Sequence, residues 1–531
     1  MIRINEIKQS LDSDKESLFS ACKKILKVKD EQIKSMTISR QSVDSRKKDN
    51  VFFCYSVDVE IDGDEEKIVK RCNSNKLQIV EKFVYELPEN KRNSHLRPVV
   101  VGFGPAGIFA ALVLARSGLK PLVLERGRDV EARTADVNRF FTGRILDETS
   151  NVQFGEGGAG TFSDGKLTTG IKSSLCRQVF IEFHEHGAPE EILYSGKPHI
   201  GTDKLAGVVK NMREEIISLG GEVIFEAKLT DVIVYNSSVQ GITYEKNGKS
   251  YDFETDTAIL AIGHSARDTV RMLYAKGIQM IQKPFSVGAR IEHPRELIDK
   301  AQYGDFAGHK ALGAADYKLA CHGAHERGAY TFCMCPGGTV VAAASENCGV
   351  VVNGMSEWAR DGRNSNSAIL VNVYPEDFPS EHVLSGFDLQ RQMEQKAFIL
   401  GGSDYSAPCQ LVGDFLDNRR STKLSFVKPT CPTGVTPSDI RQVLPAKVTD
   451  TMADAIVQMD KKLKSFALRD AVLTAPETRS SSPVRILRDD IYQTNVRGLY
   501  PCGEGAGYAG GIVSAAVDGM KCAHAVLEDE R

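Results

Sequence analysis

The feature that most constrains the fold is a glycine-rich turn between an apolar run and a helical stretch. Residues 98–103 (PVVVGF) are typical of a short buried parallel strand, and Gly102, Gly104 and Gly107 follow at G-x-G-x-x-G spacing. A helical stretch and a second apolar run come next, and that run ends in Glu125. The order strand, glycine turn, helix, strand and acid predicts the start of a dinucleotide-binding α/β domain.

Each position in this motif has a physical reason. Gly102 permits the tight turn, Gly104 lets a pyrophosphate approach the backbone, and Gly107 lets helix and strand pack closely. The amides at the helix N-terminus attract phosphate. The Glu125 carboxylate can accept both ribose hydroxyls and would repel a ribose phosphate, which disfavours an NADP-type ligand. The predicted contacts of this first motif are Gly102, Gly104, Pro105, Ala106, Gly107, Glu125 and Arg126.

The first motif alone does not distinguish NAD from FAD, but two later glycine-rich segments favour a flavin. A flavin protein requires segments that return to the first motif and cover the ribityl chain and the ring. Residues 155–169 (GEGGAGTFSDGKLTT) expose backbone amides where a second phosphate contact is expected. Residues 500–523 contain Glu504, which can bind a ribityl hydroxyl, and a helix whose N-terminus can stabilise negative charge on a reduced ring. The predicted contacts of these and the intervening strands are Gly157, Gly158, Thr161, Ser163, Lys228, Gly263, Gly503, Glu504, Gly510, Gly511 and Ile512.

Four motifs spread over nearly the whole chain form one pattern: GFGPAG at 102–107, ERG at 125–127, FGEGGAGTFSDGKL at 154–167 and YPCGEGAGYAGGIVSAAVDG at 500–519. The pattern resembles the glutathione-reductase-like superfamily of two-part flavoproteins. It resembles more closely the uncharacterised bacterial FAD-dependent dehydrogenases that carry an extra N-terminal α/β module. The resemblance implies the fold and FAD, and it implies no substrate. Many superfamily members have Gly-Asp where this chain has Gly503-Glu504, so the longer acid requires a slightly displaced backbone.

A length of 531 residues suggests about three domains. The expected class is α/β: a Rossmann-like FAD-binding domain interrupted by a mixed α+β substrate domain, plus a small N-terminal α/β module. The predicted boundaries are 1–95 for the module, 96–265 and 476–531 for the two parts of the FAD-binding domain, and 266–475 for the substrate domain, with an excursion toward that domain near 170–200.

The N-terminal module shows local signals for a helix and two strands. Ser13-x-x-Glu16 predicts a capping box at a helix start. Alternation over 57–61 predicts a half-buried strand, and 67–69 could return as a second strand. The polar segment 89–97 is interpreted as a linker.

Three residues are candidates for catalysis. Lys166 lies in the second glycine-rich segment, and Arg479 comes shortly before the third, where it could bind an anionic substrate or polarise a carbonyl. His199 precedes a helix in a segment expected to cross between the domains. The alternative for that segment is a plain N-cap at Thr202 or Asp203 with an incidental histidine, which the sequence favours.

The net charge and the cysteine content limit the kinds of partner and cofactor that are expected. The net charge is −3 and the pI is about 6.5, so no nucleic acid or membrane partner is expected. The twelve cysteines contain no C-x-x-C, and no metal site is predicted. With neither a signal peptide nor an apolar run of about 18 residues, the expected location is the cytoplasm. Nothing in the motifs bears on oligomeric state.

The expected activity is hydride transfer between flavin N5 and an unidentified small substrate. Only one G-x-G-x-x-G is followed by a helix, a second strand and a terminal acid, so a nicotinamide (NADH or NADPH) that reduces the protein would bind transiently. Two alternatives stay open at this point. One is a flavin-dependent RNA-modifying enzyme, which the balanced charge argues against. The other is a non-catalytic FAD protein with a redox-sensing or partner-binding role.

Overall fold

The computed structural model describes residues 1–530 and has the predicted mixed α/β character, with six sheets of two to seven strands. Among these residues no helix combines the length and the apolar character needed to span a bilayer.

The N-terminal module is an antiparallel sheet of order β2-β3-β1-β4 with two helices against it. Its elements are β1 (Ile2–Gln9), α1 (Lys15–Leu26), β2 (Ile33–Asp44), β3 (Phe52–Ile61), α2 (Glu65–Cys72) and β4 (Leu77–Ile79). The alternating apolar positions of β1 and β3 face the helices, which buries one side of the sheet.

Two local predictions for this module are wrong. Asp14, not Ser13, caps α1, because its side chain accepts from the Ser17 amide at 2.8 Å. Residues 67–69 are helical because the Asp64 side chain caps α2 by accepting from the Lys67 amide, while acids occupy the first turn and bases the last.

A five-stranded, all-parallel sheet of order β23-β11-β5-β6-β7 lies at the centre of the second unit, which we call the parallel-sheet domain (residues 96–276 and 487–530). Its first elements are β5 (Val99–Val101), α3 (Pro105–Arg116), β6 (Leu122–Leu124), α4 (Val130–Gly143), α5 (Leu175–Glu185), α6 (Thr202–Ser218), β7 (Glu222–Ile224), β8 (Lys228–Tyr235), β9 (Ser238–Lys246), β10 (Lys249–Glu254), β11 (Ala258–Leu260) and α7 (Arg267–Ala275). Helices cover one face of the sheet, and the antiparallel sheet of β8, β9 and β10 packs near the other.

The antiparallel-sheet domain (residues 277–486) interrupts the parallel-sheet domain. Its elements are β12 (Met280–Gln282), β13 (Phe285–Pro294), α8 (Arg295–Tyr303), β14 (Ala320–His322), β15 (Gly328–Cys335), β16 (Thr339–Ala342), β17 (Val352–Met355), β18 (Asn364–Val373), α9 (Ser385–Gly401), β19 (Ala407–Leu411), α10 (Val412–Leu416), β20 (Val435–Pro437), α11 (Ala446–Asp460), β21 (Val472–Glu477) and β22 (Val484–Ile486). Seven strands form its main sheet, in the order β14-β15-β18-β13-β21-β19-β20, and α9 and α11 pack on it.

The chain then returns to the parallel sheet through β23 (Leu499–Pro501) and α12 (Ile512–Glu528). α12 crosses α3 at backbone contact distance, since a Cβ at Gly519 would lie 2.1 Å from the Ala106 carbonyl oxygen. The end of the chain is thereby held against the first glycine motif.

Two predicted boundaries differ from the structure. β21 extends to Glu477 and pairs with β13 and β19, so the antiparallel-sheet domain continues beyond residue 475. Residues 175–185 form α5, which packs beneath the parallel sheet, so no excursion begins near 170. Within residues 170–200 the ion pair with the antiparallel-sheet domain is made near the end, where the Lys197 ammonium group pairs with Asp316.

Candidate active site

A cavity of about 640 Å³ opens between the parallel-sheet and antiparallel-sheet domains; we call it the cleft. One wall is formed where β5, β6 and β11 end, with Val101, Leu124 and Ala261 in its lining. The carboxyl ends of parallel strands are where α/β sheets bind ligands.

The first glycine motif divides into packing and ligand-facing positions. A Cβ at Gly107 would lie 1.9 Å from the Gly102 carbonyl oxygen, and one at Gly102 would lie 2.3 Å from that of Ala261. These two glycines therefore allow backbone to approach backbone. At Gly104 the nearest heavy atom to a Cβ is 3.6 Å away, at Gly158 Cα, so the space in front of Gly104 is open to a ligand.

Glu125 is buried at the end of β6 and ties loops together. Its carboxylate accepts from the amides of Phe103 at 2.8 Å, Gly127 at 2.9 Å and Gly155 at 2.9 Å. Oε1 accepts from Gly127 and Gly155, whereas Oε2 accepts only from Phe103, and Glu125 lines the cleft. Oε2 can thus accept a further hydroxyl, which the predicted ribose contact requires.

The second glycine segment forms a loop and a 3₁₀ turn at Gly158–Phe162. The fully buried Arg133 anchors it by donating to the carbonyl oxygens of Asn151, Val152 and Glu156. This anchoring presents Gly158 to the cleft, opposite Gly104.

The third segment places an acid and a helix N-terminus at the cleft. Glu504 lies 3.4 Å from Nδ1 of His264, and His264 Nε2 is buried in the protein with no hydrogen-bond partner among the described residues. Both side chains line the cleft. A Cβ at Gly510 or Gly511, just before α12, would meet nothing within 4 Å. An unsatisfied nitrogen beside an open helix N-terminus is what a polar ligand would complete, so these residues fit a flavin dinucleotide.

The structure brings most of the predicted cofactor contacts together at one cleft. Those in its lining are Gly102, Gly104, Pro105, Ala106, Glu125, Arg126, Gly158, Ser163, Gly263, Glu504, Gly510, Gly511 and Ile512.

Five predicted cofactor contacts lie outside that lining, each for a local reason. The Gly157 amide donates to the Phe103 carbonyl, and the Thr161 hydroxyl donates to the Glu156 carbonyl. The Lys228 ammonium pairs with Asp268 at 2.6 Å, and the Gly503 amide donates to Asp518. Gly107 is the packing glycine described above. These positions shape the loops and helix ends around the cleft.

Among the catalytic candidates, His199 does not line the cleft. Its ring stacks on Trp358 with centroids 4.7 Å apart, and Nε2 lies 3.1 Å from the Trp358 carbonyl oxygen. Burial, reinforced by the Arg360 charge, lowers the pKa of His199 to about 4. The N-cap alternative is also wrong, because Thr202 donates to the Thr161 carbonyl and Asp203 accepts from the Trp358 amide.

Lys166 does line the cleft, where it belongs to a charged cluster. Its ammonium donates to Asp164 at 2.7 Å and to the Met334 carbonyl, and Arg360 donates to the same Asp164 carboxylate. Burial alone would raise the pKa of Asp164, but Lys166 and Arg360 hold it below its usual range. One carboxylate shared by two cations leaves net positive charge at this end of the cleft.

Arg479 also borders the cleft, but its guanidinium is not free for a substrate. It donates to both oxygens of the buried Glu394, at 3.1 and 3.0 Å, and Arg267 donates to the same two oxygens. Burial would raise the pKa of Glu394, yet the two arginines hold it well below its usual range. Arg479 therefore stabilises the wall of the cleft, and its predicted catalytic role is not carried into the proposal below.

Glu394→Gln should destabilise the protein by about 3–5 kcal/mol, because it leaves two buried arginines without their shared carboxylate. The free energy of unfolding in urea measures this loss. Glu346→Gln is the control: Glu346 also pairs with Arg267, but it is partly exposed and should cost no more than about 1 kcal/mol. Equal losses in the two variants would contradict this account of the cluster.

Sequence reasoning missed Glu477, His264 and Lys318, all of which line the cleft. Glu477 is buried and its Oε2 accepts from the fully buried Arg290 at 2.9 Å. Burial raises the pKa of Glu477 despite the opposing Arg290 charge. A signal existed for two of them: Glu477 begins the polar run that contains Arg479, and His264 follows Gly263 directly.

Comparison with known proteins adds the family. An uncharacterized protein from Clostridium beijerinckii is 49% identical over 530 residues, which cover 99% of this chain and 98% of that protein. The chain belongs to the same family as this protein. A family described as "FAD-dependent protein, C-terminal domain-like" matches residues 284–480, and a domain of unknown function matches residues 1–60. FAD is the cofactor of this protein, in agreement with the cleft and its glycine motifs.

Several solved flavoprotein structures overlap with the chain at low similarity. They include the flavin-dependent brominase Bmp2 (11% identity, TM-score 0.38, 82% of this chain and 79% of that one). A flavoprotein/dehydrogenase from Cytophaga hutchinsonii has 13% identity and a TM-score of 0.36 over 81% of this chain and 78% of that one. A geranylgeranyl bacteriochlorophyll reductase-like protein from Thermoplasma acidophilum has 12% identity and a TM-score of 0.36 over 81% of this chain and 78% of that one. Similarity at this level establishes no activity.

Proposed function

We propose that this protein is an FAD-dependent oxidoreductase that exchanges a hydride with a small anionic substrate in the cleft. The observation that carries the proposal is the convergence of three distant segments, near residues 104, 158 and 504, with the charged cluster of Lys166 and Arg360 around one cavity. When bound, FAD supplies the hydride acceptor or donor.

The parallel-sheet domain supplies the groups that would hold the cofactor. The α3 N-terminus and the Gly104–Gly158 gap suit the pyrophosphate, and Glu125 suits the adenosine ribose. Glu504 and His264 suit the ribityl hydroxyls. The amides at the start of α12 direct partial positive charge to where negative charge would form on the ring.

Both domains supply groups that would select the substrate: Lys166 from the parallel-sheet domain, and Arg360 and Lys318 from the antiparallel-sheet domain. Lys166 and Arg360 share Asp164, so their combined charge is only partly neutralised. Lys318 is exposed at the cleft and takes part in no ion pair within residues 1–530. Excess positive charge in a walled cleft attracts anions and disfavours cations.

Glu477 is the group proposed to handle the proton. It borders the cleft, its Oε2 is held by Arg290, and no hydrogen bond within residues 1–530 occupies Oε1. A carboxyl group whose pKa is raised by burial can exchange a proton nearer to neutral pH than an exposed one.

The test is a screen of the purified holoprotein, which should be yellow and release FAD, not FMN. Carboxylates, their neutral amides, and NADH and NADPH are mixed anaerobically with the protein while bleaching of flavin absorbance is followed. A carboxylate should bleach the flavin while its matched amide does not. Bleaching only by neutral or cationic donors would contradict the anionic substrate, and protein without FAD would contradict the whole assignment.

For the donor so identified, Lys318→Gln should raise KM by about tenfold or more with little change in kcat, since one charge-assisted contact is lost. Lys310→Gln is the control, because Lys310 is an exposed lysine on the same segment that does not line the cleft. An unchanged KM for Lys318→Gln would remove Lys318 from the binding site.

A further inference from the structure

The N-terminal module contacts both walls of the cleft. On one side, the Gln41 amide in edge strand β2 donates to the Tyr194 carbonyl at 2.7 Å, and the Gly196 amide donates to the Gln41 carbonyl at 2.7 Å. Gly196, Lys197 and Pro198 line the cleft. The module thus extends its sheet onto a loop that forms one wall.

On the other side, the module packs on the segment that leads to Asp316 and Lys318. A small apolar cluster joins Leu11, Val51 and Phe53 of the module to Phe306 and Leu312. Phe306 and Leu312 come shortly before Asp316 and Lys318 in the sequence, and those two residues line the second wall of the cleft.

These contacts close into a ring. The Lys48 ammonium donates to the Gln302 carbonyl, and the Gln302 side-chain amide donates to the Asp316 carbonyl at 2.6 Å. The Asp316 carboxylate pairs with Lys197 at 2.6 Å, and Lys197 adjoins Gly196, which returns to Gln41. Lys197 and Asp316 both line the cleft, and the Lys197 side chain is 67% exposed, so the ring crosses the cleft where it opens to solvent, which we call its mouth.

We propose that the N-terminal module is a clasp that fixes the width of the cleft mouth and so limits the size of the molecules that reach the cofactor. The inference rests on the proposed function, because it assumes FAD in the cleft. It gives a role to a region that matches a domain of unknown function and that contains both Gln41 and Lys48. The ring links the parallel-sheet and antiparallel-sheet domains through the module, so the loss of any one of its contacts should widen the mouth of the cleft.

Two variants open the ring at different points. Gln41→Pro removes the N–H that bonds Tyr194, and proline is tolerated in an edge strand where the N–H points away from the sheet. Lys197→Gln breaks the pair with Asp316 at an exposed side chain, without altering the module. Val43→Pro is the control: Val43 lies two positions along β2 and turns its N–H to the same side, where residues 1–530 give it no backbone partner outside the sheet.

The probes are reduced methyl viologen and the bulkier reduced benzyl viologen, which carry the same charge. Stopped-flow reduction of the FAD-loaded full-length protein gives a benzyl-to-methyl rate ratio for each variant. The ratio should rise by about tenfold in Gln41→Pro and in Lys197→Gln, the population shift expected when one or two net hydrogen bonds are lost, and should stay within about twofold in Val43→Pro.

The outcomes separate the two proposals. FAD-loaded protein with an unchanged ratio in both ring variants would overturn the clasp and leave the proposed function standing. A rise in Val43→Pro equal to that in Gln41→Pro would also overturn it, since the strand would then be responding to proline itself. Wild-type protein that holds no FAD would instead remove the proposed function.

Discussion

Gly104→Val should yield folded but colourless protein. The space in front of Gly104 is bounded by Gly158 Cα at 3.6 Å, a distance at which a Cβ makes ordinary van der Waals contact with the protein. A pyrophosphate needs that same space to reach the amides at the start of α3. The side chain therefore competes with the ligand far more than with the fold.

The measurement is the ratio of flavin to protein absorbance after purification, with circular dichroism to confirm folding. Gly104→Ala provides a milder step, because it places only the Cβ in the gap and should weaken FAD retention less than valine does. Gly207→Ala is the control: Gly207 lies in α6, a Cβ there meets nothing within 4 Å, and FAD should be retained in full. Full retention of FAD by Gly104→Val would show that the first glycine motif does not hold the phosphates.

The parts of the site that follow local rules could be predicted from sequence. The strand, glycine turn, helix and acid around Gly104 and Glu125 are set by backbone geometry over a short stretch, so their order in the chain suffices. The same holds for the start of α12 after Gly511. Each of these positions requires a particular residue type for steric reasons.

What could not be predicted depends on contacts between distant residues. Arg479 in the sequence is a cation near the third motif, and only the fold places Glu394 against it. His199 meets Trp358, whose position 159 residues later no local pattern fixes. The chemical role of a charged side chain depends on how deeply it is buried and on which of its atoms are already paired. Neither property can be predicted from the neighbouring sequence.

The N-terminal module illustrates the same limit. Residues 67–69 carry strand-like side chains, but the Asp64 cap and the charges at the two ends of α2 favour the helix. Its contact with the 194–196 loop of the cleft wall runs through backbone atoms of Gln41 and Gly196, which a pattern of side chains does not predict.

Glu477→Gln should lower kcat for substrate oxidation by about 10²–10⁴-fold with FAD retained in full, the usual range for loss of a general acid or base. Glutamine preserves the shape of the side chain, and its carbonyl oxygen can still accept from Arg290, so the wall of the cleft should be conserved. What disappears is the ability to take up a proton.

The pH dependence distinguishes that role from a structural one. In the oxidation direction Glu477 must be ionised to accept the proton, so the wild-type rate should rise with pH through the pKa of Glu477, which burial raises above its usual range. In Glu477→Gln this rise should be absent. Glu292→Gln is the matched control, since Glu292 is also buried with a raised pKa but contacts Thr430 and Asn364 away from the cleft. A Glu477→Gln variant that keeps both its kcat and its rise with pH would assign the proton to another group, and a similar loss in Glu292→Gln would show that the effect is one of stability.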